Sequence, residues 1–337
     1  VLMVAYYLAL CERLRATVGK LKLKRGSVTV PSAESLAASI LEGCGIAHEV
    51  PADPAQTRLY FDETLPQLAL EALATETARL SHLIGRYDAL VVDEAQDHDS
   101  RLDSADGLEP AASATAGWWS LYAAMLRQGW ESPMAIFGDP AQRPPFRPAR
   151  RFDLEAVRAR LRQHAHVRLQ QALRYTRPVH QFLKSLEGEG TRHLIENLPS
   201  QGQLPDGPEV VLRESAPASM PAVVEDILDQ WRKGGLCAPS KVLILYDRSV
   251  IDRTALAGLE TLCGHALQPY LEWVDHPQSR SIGHSSIHKA KGLDALAVIL
   301  AGLRPFDQLA TPYDRFTYFM GASRARQLLA CVHLAPT

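Results

Sequence analysis

Two adjacent carboxylates at the end of an apolar run are the residues of this chain best suited to chemistry. The stretch from Tyr87 to Asp97 reads Tyr-Asp-Ala-Leu-Val-Val-Asp-Glu-Ala-Gln-Asp. The apolar run predicts a buried strand, and open parallel sheets bind ligands at the carboxyl ends of their strands. One carboxylate can hold Mg²⁺ while its neighbour polarises a water, as phosphoryl transfer requires. We assign Asp93 to the metal, through water, and Glu94 to the attacking water. An acidic turn in solvent is the alternative for this motif taken alone.

Three further motifs follow along the chain, and together with the acidic motif they form a recognisable series. They are Gly138-Asp139-Pro140-Ala141-Gln142 after the apolar run Met134 to Phe137, Ser286-Ile287-His288-Lys289-Ala290-Lys291-Gly292-Leu293-Asp294, and Gly321-Ala322-Ser323-Arg324-Ala325-Arg326. In this order the four motifs resemble those of superfamily 1 helicases of the UvrD-like group. The resemblance covers nearly the whole chain and implies two RecA-like domains with ATP bound in a cleft between them.

The resemblance also implies a role for each polar residue on the first wall of that cleft. Asp93 and Glu94 keep the roles given above. Gln142 carries an uncharged amide, and the family assigns its counterpart to sensing the γ-phosphate or its water. The residues that match Gln96 and Asp97 link the nucleotide site to neighbouring motifs. ATP and Mg²⁺ are therefore the cofactors that the resemblance implies.

On the second wall, the resemblance implies arginines that reach the nucleotide. The segment Leu169 to Arg174 is similar to the family's Leu-x-x-Asn-Tyr-Arg, which places Arg174 at the arginine that reaches the γ-phosphate. Arg324 matches the arginine finger, which engages only when the two domains close. Gly292 would let backbone approach a phosphate, and Asp294 matches an acid that meets the ribose. A surface ion pair is the alternative for Arg174.

Nucleic-acid contacts are predicted from both halves of the chain. Residues 143–168 are rich in arginine with interleaved phenylalanines, a mixture that could follow a phosphate backbone and stack bases. A solvated helix face is the alternative for that stretch. The resemblance assigns Phe146 and Arg147 to base stacking, and Ser286 and His288 to contact with the strand. Single-stranded DNA is the partner that we expect, and these motifs do not exclude RNA.

A phosphate-binding loop is missing from this sequence. No Gly-x-x-x-x-Gly-Lys-Ser/Thr occurs, and the chain begins at Val1 within an apolar run that reads as a strand. We expect that the loop lies upstream and that the first domain is truncated at its N-terminus. The chain as written is then expected to show no appreciable ATP turnover and to leave its first sheet incompletely covered.

The elements that must position these residues read as an α/β fold. Apolar strands alternate with amphipathic helices, which favours parallel sheets, and we place the domains at 1–165 and 166–337. The segment from Glu187 to Pro208 reads as a linker or surface excursion. The net charge is −2 over 337 residues, and the five cysteines are scattered without a CxxC pair. These features indicate a cytoplasmic protein with reduced thiols and no membrane span.

Two other functions fit parts of this pattern. The first is a non-catalytic nucleic-acid-binding or assembly subunit that keeps a helicase fold. The presence of Asp93, Glu94, Gln142 and Arg324 together argues against it, because such a subunit has no evident need for the whole set. The second is an RNA-directed helicase of the same superfamily, which stimulation by RNA or by DNA would distinguish.

Overall fold

The structure is a computed structural model of the 337-residue chain. It describes residues 1–23, 26–98, 117–139, 157, 160–161, 165, 167, 174–198, 204–247, 254–256, 258–275 and 280–335. The chain divides into two compact units. Unit 1 comprises Val1–Arg143 and Arg147–Val167, and unit 2 comprises Pro144–Phe146 and Arg168–Thr337.

Unit 1 is built around a three-stranded parallel sheet in the order β1-β2-β3. Its elements are β1 (Leu2–Ala5), α1 (Leu8–Gly19), α2 (Ala33–Cys44), α3 (Pro54–Leu59), a π-helical turn (Tyr60–Thr64), α4 (Leu65–Thr75), α5 (Thr77–Leu80), β2 (Leu90–Asp93), α6 (Trp118–Met125) and β3 (Met134–Ile136). Ala5 lies opposite Asp93 in the register of β1 and β2. Within the described residues, β3 is an edge strand and is poorly covered, since Ala135 is exposed and Phe137 is 58% exposed.

Local sequence explains where the helices of unit 1 begin and end. The Ser32 hydroxyl caps α2 by accepting a hydrogen bond from the Ser35 N–H at 3.1 Å. At the other end, Gly45 takes the left-handed conformation, with φ at 70°. Between them, Leu36 and Ile40 are buried on the face of α2 that joins the core. The sequence alone also predicts this helix, from Ser32 at its start, the apolar face with Leu36 and Ile40, and Gly43 or Gly45 at its end.

Unit 2 contains a seven-stranded sheet in the order β4-β10-β9-β5-β8-β7-β6. Its elements are α7 (Arg177–Ser185), α8 (Arg192–Glu196), β4 (Val211–Ser215), α9 (Met220–Lys233), β5 (Val242–Tyr246), β6 (Thr261–Leu262), β7 (His265–Pro269), α10 (Tyr270–Asp275), β8 (Ile282–Ser286), β9 (Ala295–Leu303), α11 (Pro312–Ala322) and β10 (Ala325–Leu334). All neighbouring strands pair in parallel except β6 and β7, which are antiparallel. The long strands β9 and β10 lie in the interior of the sheet and are almost entirely buried.

The α/β class predicted from the sequence is confirmed, with two differences in unit 2. Its sheet is mixed, because β6 adds an antiparallel edge. The segment predicted as a linker after Glu187 instead contains α8, and Gly190 packs against the start of α11 with a φ of 93°. A Cβ at Gly190 would lie 2.2 Å from the Pro312 carbonyl oxygen, so only glycine fits there. The assignment of RecA-like domains around a nucleotide cleft stays a prediction.

The cysteines and the apolar character of the helices bear on two expectations from the sequence, reduced thiols and the lack of a membrane span. All five cysteines are free, and only Cys263 is exposed. Burial raises the pKa of Cys11 and of Cys237 to about 11, which makes these two thiols poorly reactive. In the described part of the chain, no helix has the length and apolar character needed to cross a membrane.

Candidate functional site

The acidic motif of unit 1 leaves the sheet through a strained residue. Glu94 follows β2 directly and adopts left-handed backbone angles, with φ at 52° and ψ at 44°. Its N–H donates to Asp93 Oδ1 at 2.9 Å, and the Ala95 N–H donates to the Phe137 carbonyl at 2.9 Å. The chain therefore turns sharply back over the end of β3. A left-handed glutamate costs roughly 1–2 kcal/mol, and such strain is concentrated at functional sites in proteins.

Gln96 joins this turn to the strand end next to it. Its side chain is 2% exposed, its amide nitrogen donates to the Glu94 carboxylate, and its amide oxygen accepts from the Asp139 N–H at 3.0 Å. Gly138 makes the approach feasible, because a Cβ there would lie 2.8 Å from Gln96 Oε1 and 3.2 Å from the Ala95 backbone nitrogen. The φ of Gly138 is not left-handed, so the position requires small size and not unusual backbone freedom.

The electrostatics of Asp93 suit a cation. Burial raises the pKa of Asp93, while the N–H of Glu94 acts in the opposite direction. A carboxylate whose charge is disfavoured by burial gains strongly from a nearby positive ion. Asp93 and Glu94 offer the hard oxygen ligands that Mg²⁺ prefers, so the residues present fit that ion. Among the described residues, no group of three or more His, Cys, Asp or Glu side chains could hold a metal. Water and nucleotide phosphates would have to complete the coordination.

The second half of the acidic motif is buried and is anchored by aromatic residues. Asp97 is 1% exposed, and the next residue, His98, is fully buried. His98 Nδ1 lies 2.7 Å from the Tyr122 hydroxyl of α6, and the rings of Tyr6 and Trp119 also lie against the imidazole. Sequence reasoning did not identify His98, although its position directly after the motif is a signal that could have found it. The role of Asp97 as a link to other motifs stays a prediction.

In unit 2, three of the predicted nucleotide contacts lie close together before β9. Arg174 Nη1 lies 3.9 Å from Asp294 Oδ2, and Asp294 directly precedes β9. Arg174 also donates to the Tyr175 hydroxyl at 2.9 Å and lies over that ring at 5.2 Å. Gly292 forms the turn before Asp294, with φ at 78°. The Arg174 side chain is 35% exposed, so its weak ion pair can exchange for another anion.

Arg324, which the sequence predicts to project toward the cleft, is instead buried within unit 2. The residue is 2% exposed, and its guanidinium donates to the Met320 carbonyl at 3.0 Å, the Leu293 carbonyl at 3.1 Å and the Ser323 hydroxyl at 3.0 Å. Its own carbonyl accepts from the Ala295 N–H at 3.0 Å. Arg324 therefore ties the end of α11 to the start of β9. A contact between Arg324 and a phosphate stays a prediction, and it would require these bonds to be exchanged.

The predicted nucleic-acid contacts of unit 2 lie at the carboxyl end of β8. Ser286 is the last residue of β8, and the Ile287 N–H donates to the Tyr246 carbonyl of neighbouring β5 at 3.0 Å. His288 is exposed, and its Nε2 lies 2.7 Å from the Tyr313 hydroxyl of α11. The two rings are parallel within 4°, with their centroids 5.6 Å apart. Sequence reasoning did not identify Tyr313.

The structure thus groups most of the predicted site residues into three clusters. Asp93, Glu94 and Gln96 form one in unit 1. In unit 2, Arg174, Gly292 and Asp294 form the second cluster, and Ser286 and His288 form the third. The turn of residues 287–292 connects these two clusters. Gln142, Phe146 and Arg147 lie outside the described residues.

No protein-family model matches the chain, and no curated protein matches it. Among solved structures, the chain is similar to the C-terminal domain of a possible DNA helicase from Lactobacillus plantarum WCFS1, with 16% identity and a TM-score of 0.30. That likeness covers 48% of this chain and 88% of the other. We draw no functional conclusion from a similarity of this degree.

Proposed function

We propose that this chain is the motor core of an ATP-dependent helicase or translocase that moves along single-stranded DNA. The observation that supports this most is the bridge made by Gln96. It connects Glu94, the residue proposed to activate water, to the backbone of Asp139, three residues before Gln142. A solvated acidic turn has no need for a buried amide that fixes one of its carboxylates.

The residues of unit 1 would divide the chemistry between them. Asp93 would hold Mg²⁺ through water, and the ion would supply charge neutralisation for the β- and γ-phosphates. Glu94 would orient or deprotonate the attacking water, and Gln96 holds one of its carboxylate oxygens in place. Because the Glu94 side chain is only partly buried, the carboxylate remains accessible to a water molecule.

The residues of unit 2 would stabilise charge on a nucleotide, a role that comes from the family resemblance. Arg174 is the more accessible arginine, because its side chain is 35% exposed whereas Arg324 is 2% exposed. Arg324 would first have to leave two backbone carbonyls. We therefore assign the first phosphate contact to Arg174 and a conditional contact to Arg324.

The test is phosphate release from ATP in the presence and absence of single-stranded DNA. It should compare the chain as written with an extended chain, in which a phosphate-binding loop is added before Val1. We expect DNA-stimulated phosphate release only from the extended chain. In that chain, Glu94→Gln should lower the rate of release by at least about 10²-fold, because a positioned general base contributes that much. Glu42→Gln, an exposed residue of α2, is the matched control. Normal release by Glu94→Gln would refute the assignment.

The hydrogen bonds of Arg324 favour a second candidate, a nucleic-acid-binding subunit that does not hydrolyse ATP. An arginine committed to backbone carbonyls serves the fold without any nucleotide. DNA binding without phosphate release by the extended chain would support this candidate. Replacing DNA with RNA of the same length in both assays would separate a DNA motor from an RNA motor.

A further inference from the structure

Tyr313 lies beside the predicted nucleic-acid contact and is held unusually firmly. It is the second residue of α11, whose first turn is fixed by a capping box between Thr311 and Asp314. The Thr311 hydroxyl accepts from the Asp314 N–H at 3.1 Å, and the Asp314 carboxylate accepts from the Thr311 N–H at 3.3 Å. On the other side, Gly190 packs against the backbone of Pro312. The Tyr313 ring is therefore presented from a rigid helix start.

His288, in contrast, lies in an exposed turn and has one strong side-chain partner. Its Nε2 lies 2.7 Å from the Tyr313 hydroxyl, and the two rings are parallel. Its Nδ1 has no hydrogen-bond partner among the residues that the structure describes. An imidazole with one nitrogen bonded keeps the other nitrogen for a ligand, and the first bond selects the tautomer.

We propose that Tyr313 is a positioning residue that holds Nε2 of His288, so that Nδ1–H faces a nucleic-acid strand and donates to a phosphate or carbonyl oxygen. This inference rests on the proposed function, because it specifies how one contact of that function is made. Phosphate oxygens accept hydrogen bonds and do not donate them. A strand bound at Nδ1 therefore requires a proton there, and in the neutral ring the Tyr313 O–H must then donate to Nε2.

The charged groups around the ring agree with a neutral imidazole. Partial loss of hydration lowers the pKa of His288, Lys291 in the same turn adds to this shift, and Asp247 after β5 opposes it. On α11, the Asp314 carboxylate is engaged in the helix cap. Near neutral pH the contact is therefore a directed hydrogen bond that depends on the tautomer. In acid, both ring nitrogens carry protons, and the tautomer no longer has to be selected.

The experiment measures the affinity of the full chain for a labelled oligothymidylate about 20 nucleotides long, by anisotropy, between about pH 8 and about pH 5. Tyr313→Phe keeps the ring and removes the hydroxyl. We expect its affinity to be roughly 3- to 10-fold lower than that of the wild type near pH 8, as for the loss of one hydrogen bond. The two affinities should converge as the pH falls. In the His288→Ala background, Tyr313→Phe should have no further effect.

Tyr60→Phe is the matched control, because Tyr60 makes the same kind of bond to His48 Nδ1, at 2.8 Å, in unit 1. It should bind like the wild type at every pH. A Tyr313→Phe defect of equal size at both ends of the pH range would show a merely structural role and overturn the inference, as would a defect that persists in His288→Ala. In both cases the proposed function would stand. If the chain failed to bind single-stranded DNA and RNA at any pH, the proposed function would fail and the inference with it.

Discussion

The acidic end of unit 1 and the arginine end of unit 2 hold their charges in opposite ways. Asp93 and Glu94 remain at a strand end, where a strained backbone and the Gln96 amide orient them. Arg324 lies inside unit 2, where two backbone carbonyls and a hydroxyl take up its donors. The first arrangement suits a site that meets a ligand, whereas the second suits a structural anchor. A motif thus identifies which residues carry charge, but the hydrogen-bond partners decide what each charge does.

The largest effect is expected from Arg324→Ala. The change leaves the Met320 and Leu293 carbonyls without their charged donor inside the unit, so we expect about 3 kcal/mol of destabilisation. Chemical unfolding followed by circular dichroism would measure it. Arg326→Ala, two residues further along and exposed, is the control and should change stability by less than about 0.5 kcal/mol. Equal stability of both variants would mean that Arg324 is not an anchor.

Gly138→Ala tests the acidic end of unit 1, where Gln96 holds Glu94. A Cβ at this position would push against Gln96 Oε1 and the backbone of Ala95, so we expect about 1–3 kcal/mol of destabilisation and displacement of the Gln96 bridge. Gly19→Ala is the control, since its added Cβ would meet nothing within 4 Å. If Gly138→Ala kept both the stability and the DNA-stimulated phosphate release of the extended wild type, the bridge would be unimportant.

The elements that the sequence predicted best are those whose signals are local. The run Val242 to Tyr246 is continuously apolar and forms β5 with the expected bounds. In contrast, β8 reads Ile-Gly-His-Ser-Ser and was missed, because it is recognisable as a strand only through its neighbours β5 and β7. The burial of Arg324 was missed for the same reason, since one of its acceptors is the carbonyl of Leu293, which lies 31 residues earlier in the sequence.

The buried charge of Asp93 predicts a dependence on pH. Because burial raises its pKa in the folded state above the unfolded value, the ionised carboxylate costs stability above the folded-state pKa. This cost is absent below the unfolded value. Asp93→Asn should therefore stabilise unit 1 near neutral pH, with the gain disappearing in acid. Thermal unfolding across the pH range would show this. Asp88→Asn is the control and should have little effect, because Asp88 forms an exposed ion pair with Arg127. A gain of stability in Asp93→Asn that grows in acid would contradict the account.

The smallest effect concerns the strained backbone of Glu94. Glu94 and Cys263 are the non-glycine residues with positive φ in the described part of the chain. Glycine should relieve this strain at both positions, so Glu94→Gly and Cys263→Gly should each gain up to about 1 kcal/mol of stability. Only Glu94→Gly should abolish phosphate release in the extended chain. Denaturant midpoints and the phosphate-release assay would test this. A loss of stability in Glu94→Gly would show that the contacts of the Glu94 side chain outweigh the backbone strain.

The proposed function requires both Glu94 and Arg174 for ATP cleavage. Single-turnover ATP cleavage by the extended chain, bound to single-stranded DNA, tests it through Glu94→Gln, Arg174→Ala and the double variant. We predict that each single change slows cleavage by at least about 10²-fold. The loss of rate in the double variant should be much smaller than the product of the two single losses, as for residues that act together. Wild-type cleavage by Arg174→Ala, or fully multiplicative losses in the double variant, would contradict the account.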